Sequence, residues 1–128
     1  MTCVDRLVLV YDADGGLRGE LAYVARKALG GPGCSLCDVT HGLSLRERPA
    51  FRRCRERLRI RIDLRHRNEL SDVERHAATD AFPAVLVEAG GATLRLLGPE
   101  ELAPCAGDVE AFEAAVRGAL ARRGLTLD

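Results

Sequence analysis

Apolar and polar positions along the chain follow two periods, and the switches between them divide it into elements. "RLVLVYD" holds an unbroken apolar run, Leu7 to Val10, which predicts a strand buried on both faces, as in a parallel sheet. "DADGG" ends it. Leu17, Leu21, Val24 and Ala28 then recur at helical spacing, and Gly30, Gly31 and Pro32 follow in the order that stops a helix. In "RPAFRRCRERL", Pro49 suits a first helical position. Phe51, Cys54 and Leu58 share one helix face, which reads Cys54 as a core residue and not a reactive thiol. "RIRIDLRH" alternates strictly: Ile60, Ile62 and Leu64 point one way, Arg59, Arg61 and Asp63 the other. That pattern predicts a half-buried strand with one wet face.

A short helix is expected next, capped by Ser71 with Val73 and Ala77 turned inward. "FPAVLVE" reads as an apolar strand, Gly90 and Gly91 as a hairpin turn, and "TLRLLG" as the returning strand. A last helix is expected from a cap at Asp108, burying Val109, Phe112, Val116 and Leu120. First strands that read as parallel, joined by crossover helices, and a closing hairpin predict an α/β fold with a central mixed sheet and helices on both faces. Residues 1–128 read as one domain, without repeats or linkers.

Composition narrows the function classes. Apolar residues make up 47% and charged residues 30%, a soluble globular balance. The formal net charge is zero, so there is no general attraction to nucleic acid or anionic lipid. Between Arg46 and Arg67 ten arginines stand against Glu47, Glu56 and Asp63. With Lys27 the single lysine and no aromatic in the run beyond Phe51, the segment reads as a solvated face without base stacking. No nucleic-acid partner is expected, and a protein partner remains open. The start, "MTCVDRLVLVYD", is too short and too charged to span a membrane and lacks the marks of a signal peptide. A cytoplasmic location is the expectation, and there the five cysteines are mostly reduced.

Chemistry concentrates in "GGPGCSLCDVTHG", residues 30–42, where Cys34 and Cys37 form a CxxC pair. Two intervening residues let the sulfurs reach bonding distance, so a mixed disulfide formed by one is resolved by the other. Zinc is the second reading. Two thiolates make half a tetrahedral site, His41 supplies a third ligand, and a fourth must come from Cys3, Cys54, Cys105, His66, His76 or a second subunit. Packing as small apolar residues in a loop is the third. Cys34 follows a helix end, where the dipole opposes a thiolate. A separate candidate is "LVLVYDADGG", similar to the first motif of haloacid-dehalogenase-like phosphatases, which implies Asp12 as nucleophile, Asp14 as acid/base and a magnesium ion. No lysine follows at a distance suited to holding the phosphate, and Asp12, Asp14, Gly15 and Gly16 also read as a turn.

From Leu58 onward the chain resembles the second half of a thioredoxin-like domain, on "RIRIDLRH", the short helix, "AFPAVLVEAGGATLRLLG" and "DVEAFEAAVRGALARRG". The resemblance implies that Pro83, opening the third core strand, is cis and lies beside the active site. More loosely, "YDADGG" followed by a helix and "CxLCxVTxG" resembles a group of small bacterial proteins with a thioredoxin-like fold; here the segment is Cys34, Leu36, Cys37, Val39, Thr40 and Gly42. The absence of a GxxxxGK[ST] loop argues against nucleotide hydrolysis. The resemblance implies thiol–disulfide exchange or redox sensing by Cys34 and Cys37 with Pro83 shaping the surface. The alternative is a non-catalytic binding module whose CxxC segment holds zinc or fixes a loop.

Overall fold

The computed structural model describes residues 2–12, 49–105 and 107–127. The expected helix from Leu17 to Ala28, the CxxC segment and Asp14 lie outside these residues. The central strand β1 (Thr2–Tyr11) pairs in parallel with β2 (Arg61–His66) on one side and antiparallel with β3 (Ala84–Ala89) on the other. β3 turns back into β4 (Ala92–Leu97), giving the sheet order β2-β1-β3-β4. A two-residue β5 (Leu125–Thr126) adds parallel to Thr2 and Cys3 at the start of β1. The mixed sheet is the expected one. β5 was not anticipated, because two residues carry no readable period.

Each face of the sheet carries its own apolar cluster. Along β1, Leu7, Leu9 and Tyr11 face one side with Val85 and Val87 of β3. Two helices, α1 (Pro49–Leu58) and α4 (Val109–Arg122), cover that side with Phe51, Cys54, Leu58, Phe112, Val116 and Leu120. The rings of Phe51 and Phe112 are both fully buried and meet at 6.2 Å with a 58° tilt, the edge-on geometry that aromatic quadrupoles favour. The opposite side holds Val8, Val10, Ala84 and Leu86 against Leu70 and Ala78 of the α2 region (α2, Asp72–Ala78). Helices therefore lie on both faces.

Local chemistry sets the ends of these elements. Gly90 and Gly91 both have positive φ, 58° and 81°, as a two-residue hairpin turn matching the strand twist requires. Asp108 accepts hydrogen bonds from the N–H groups of Glu110 and Ala111 and so starts α4 where expected. A one-turn helix α3 (Pro99–Leu102) and the tight turn Ala103–Cys105 join β4 to α4. Among the described residues no helix is long and apolar enough to cross a membrane.

One expectation fails on α2. Ser71 does cap it, with Glu74 completing a reciprocal capping box, and Ala77 packs partly inward. Val73, however, is 62% exposed, and Glu74 takes the buried face instead. The reason lies on β1. Arg6 stands on the α2 side of the sheet, and its guanidinium donates to Asp63 of β2 at 2.9 Å, Glu74 of α2 at 3.0 Å and Glu88 of β3 at 3.0 Å. Rotating Val73 inward would withdraw Glu74 from this cluster and leave the arginine short of one carboxylate.

Burial alone would push the Asp63 and Glu74 carboxyls up. For Asp63, the hydrogen bonds from Arg6 and Arg61 reverse that, and for Glu74 the Ser71 N–H and Arg6 do so, leaving both below their ordinary values. Burial likewise disfavours the charged Arg6, but its three carboxylate partners outweigh this and raise its pKa. A carboxylate depressed on folding stabilises the fold above its unfolded pKa, about 4, and loses that contribution as pH falls through the lower folded value. We therefore expect urea unfolding of the wild type to show falling stability from about pH 5 downward. Arg6→Met should cost about 3 kcal/mol at neutral pH, because three carboxylates lose their shared cation. The acid slope of that variant should be shallower than the wild type's; equal slopes would remove Arg6 as the cause.

Candidate functional site

One end of the sheet gathers polar and titratable groups. The ladder between β1 and β2 closes with Tyr11 opposite His66, and the ladder between β1 and β3 begins with Val10 opposite Ala84. Pro83 precedes that pair, so His66, Tyr11 and Pro83 mark the same end of three adjacent strands. The Phe82–Pro83 peptide is cis, and Pro83 is buried. From β1 the chain crosses to β2 on one side and, after α2, to β3 on the other. The ends of β1 and β2 and the start of β3 therefore meet at one end of the sheet.

Three side-chain contacts organise it. Glu69 accepts the backbone N–H of His66 at 2.7 Å and lies 2.8 Å from the imidazole Nδ1. The His66 and Tyr11 rings lie 5.5 Å apart at a 57° tilt. Arg67 donates to Asp12 at 3.1 Å, tying the residue after β1 to the turn after β2. The His66 N–H holds the Glu69 carboxyl below its ordinary range, burial opposes this, and the imidazole contact adds to the lowering.

Of the residues singled out in the sequence, Pro83 stands at this end. Cys34, Cys37, His41 and Asp14 lie outside the described residues, so their relation to Pro83 is not part of the described geometry. Among the described residues no group of three or more His, Cys, Asp or Glu side chains is placed to hold a metal ion. His66, Glu69 and Tyr11 were not singled out as a unit. The signal was there, in the H-x-x-E spacing directly after an alternating strand, yet it gains meaning only when the strand register brings Tyr11 alongside.

The basic run is spent on structure as well as on solvent. Arg61 and Arg65 approach Asp63 at 3.1 and 3.7 Å, and Arg57 donates to Glu113 of α4 at 2.9 and 2.6 Å. Arg117 donates to the same carboxylate at 2.9 Å. Arg57, Glu113 and Arg117 line the shallow depression beside α4, and its two arginines already share this acid.

Two of the described cysteines, Cys54 and Cys105, are poor nucleophiles. Cys54 is fully buried on α1, and desolvation, with the Glu113 carboxylate nearby, pushes its thiol up to about 11. Burial and Asp108 also raise Cys105. Cys3 is an exposed thiol. Brief iodoacetamide treatment of the reduced native protein near neutral pH should therefore modify Cys3 and spare Cys54 and Cys105, with all of them labelled after unfolding. Peptide mass mapping reads this directly, and equal labelling of Cys54 and Cys3 in the native protein would contradict the buried placement.

Compared with protein-family models, curated proteins and solved structures, the chain matches none.

Proposed function

We propose that this chain is a thioredoxin-like domain of the cytoplasm whose CxxC pair, Cys34 and Cys37, carries out thiol–disulfide exchange or redox sensing on a protein partner. The observation that supports it most is the place of Pro83. It opens β3 beside the end of β1, in a sheet with β1 and β2 parallel, β3 and β4 antiparallel and α4 closing the chain. That is the position the resemblance gives to the proline beside an active site. Asp12, the last described residue before the stretch of sequence that holds both thiols, follows β1 at this same end.

The chemistry needs two sulfurs and a disulfide-bearing partner. The thiolate of Cys34 or Cys37 attacks one partner sulfur, and a mixed disulfide forms as the other partner sulfur leaves as a thiolate. The second thiolate of the pair then displaces the first partner sulfur. The partner departs as a dithiol, and Cys34 and Cys37 are left joined. No metal or organic cofactor enters this balance. Cys54 and Cys105 are excluded from it by burial.

Trypsin cleavage after Lys27 and Arg46 releases residues 28–46, one peptide containing both Cys34 and Cys37. After oxidation of the reduced protein by glutathione disulfide, that peptide should appear lighter by two hydrogens, and dithiothreitol should restore it without loss of circular-dichroism signal. Thiols that stay blocked until a chelator is added, with the fold loosening at that moment, would point to zinc and against exchange. Thiols inert to alkylation in the intact, metal-free protein would end the enzymatic proposal.

A further inference from the structure

Among the described residues the sheet has two outer strands, β2 and β4, and their edges are protected differently. An outer strand presents backbone groups that a further strand can pair with, unless charge or a covering group prevents it. β2 carries Arg61, Asp63 and Arg65 at every second position, a run of charge that discourages such pairing. β4 carries one charged residue, Arg95, and beside it stands Leu94, 45% exposed.

The hairpin fixes which backbone groups of β4 face outward. Gly90 and Gly91 form its two-residue turn, so the flanking pair, Ala89 and Ala92, exchanges hydrogen bonds. Bonded and non-bonded pairs then alternate along the ladder. Leu94 bonds to Val87, while Thr93 and Arg95, opposite Glu88 and Leu86, turn their N–H and C=O groups away from β3. One of these outward groups is covered. Arg123, just after α4, donates to the Arg95 carbonyl at 2.9 Å. A guanidinium from another element thus holds an oxygen that an incoming strand would use.

One register of self-pairing suits this edge. An antiparallel copy bonds only through residues that face outward on both strands. A two-fold axis at Leu94 sets Thr93 opposite the partner's Arg95 and Leu94 opposite its own counterpart. The Thr93–Arg95 pairs then exchange hydrogen bonds, and Leu94 falls at the closer-spaced position between them. Moving the axis to Arg95 would oppose two arginines, which is unfavourable. Moving it to Thr93 would set Leu94 against Ala92 and lose the leucine contact. With zero formal net charge, two copies also meet without general repulsion.

We propose that the outer edge of β4 is a pairing surface for a second copy of this chain, and that Arg123 covers it in the single chain. Dimerisation withdraws Arg123 from the Arg95 carbonyl, and the Thr93 N–H of the second copy takes its place. The sheet then runs on through both copies.

Sedimentation velocity of the reduced protein over a concentration series tests this, together with amide hydrogen exchange at low and high concentration. Arg123→Ala should strengthen dimerisation by roughly tenfold, because each copy loses a cover worth one modest hydrogen bond. Leu94→Lys in the Arg123→Ala background should return the protein to monomer, since it sets like charges opposite each other. The Thr93 and Arg95 amides should exchange quickly in the dilute wild type and slowly in concentrated Arg123→Ala. The Leu94 amide, bonded to β3, should be slow in both. Unchanged sedimentation of folded Arg123→Ala at every concentration would overturn the proposal. A dimer that survives Leu94→Lys would place the contact on another surface and would overturn it as well. Thr93 and Arg95 amides already protected in the dilute monomer would mean that the chain itself occupies this edge, and the pairing surface would be lost.

Discussion

The structure turns on a charge placed in the middle of an otherwise apolar strand. Arg6 belongs to β1, which is flanked by strands on both edges and covered on both faces, so its guanidinium cannot simply reach into bulk water. Removing a cation from water costs several kcal/mol unless its donors find acceptors. Arg6 finds three, one each from β2, α2 and β3. The cluster therefore joins three elements to the central strand, with directional bonds where apolar contact would permit sliding. Arg61 and Arg65 at the Asp63 side bring the local charge back toward balance. Register matters here: Val8 pairs with Asp63, and Arg6 pairs with Glu88, so a slip of one residue in either ladder would turn a carboxylate to the other face.

Fixing β1 in this way also fixes the end of the sheet where the candidate chemistry lies. With both ladders in register, Tyr11 meets His66 and the chain before Ala84 comes alongside, which places Pro83. The two ends of the sheet then differ in character. At the start of β1, β5 and the hairpin turn close the edge with backbone hydrogen bonds. At its finish stand an imidazole, a carboxylate, a phenol and an arginine–aspartate pair. The asymmetry follows from topology: parallel strands finish together, so the side chains that follow them converge.

Local pattern made much of this legible in the sequence. The apolar run of β1, the alternation of β2, the hairpin glycines and the Asp108-capped helix are each written within a short window, and the structure has them. What was not legible depended on distant partners. Val73 has the inward-facing spacing on α2, but Glu74 is bound to an arginine far away in sequence, and a charge left unpaired outweighs one buried valine. Arg57 and Glu113 present the same problem: each looks like a solvated surface charge until α1 and α4 are packed together. At the site, Pro83 could be read from its place before an apolar strand. The H-x-x-E spacing of His66 and Glu69 is written in the sequence, but Tyr11 comes beside His66 only through strand pairing.

The environments of the sulfurs carry the argument to function. A thiolate is the reactive form, so a cysteine's surroundings decide its use before its sequence motif does. Cys54 lies in an apolar core beneath a carboxylate, and Cys105 is buried near another; both settings oppose negative charge on sulfur. Reactivity is thereby removed from the cysteines that build the core, which can serve as small apolar side chains. Chemistry on sulfur needs the opposite surroundings, with access to solvent and a group able to take or share a positive charge. The end of β1 and β2 gathers polar groups of this kind among the described residues, a partly exposed imidazole 2.8 Å from the Glu69 carboxylate and an arginine–aspartate pair.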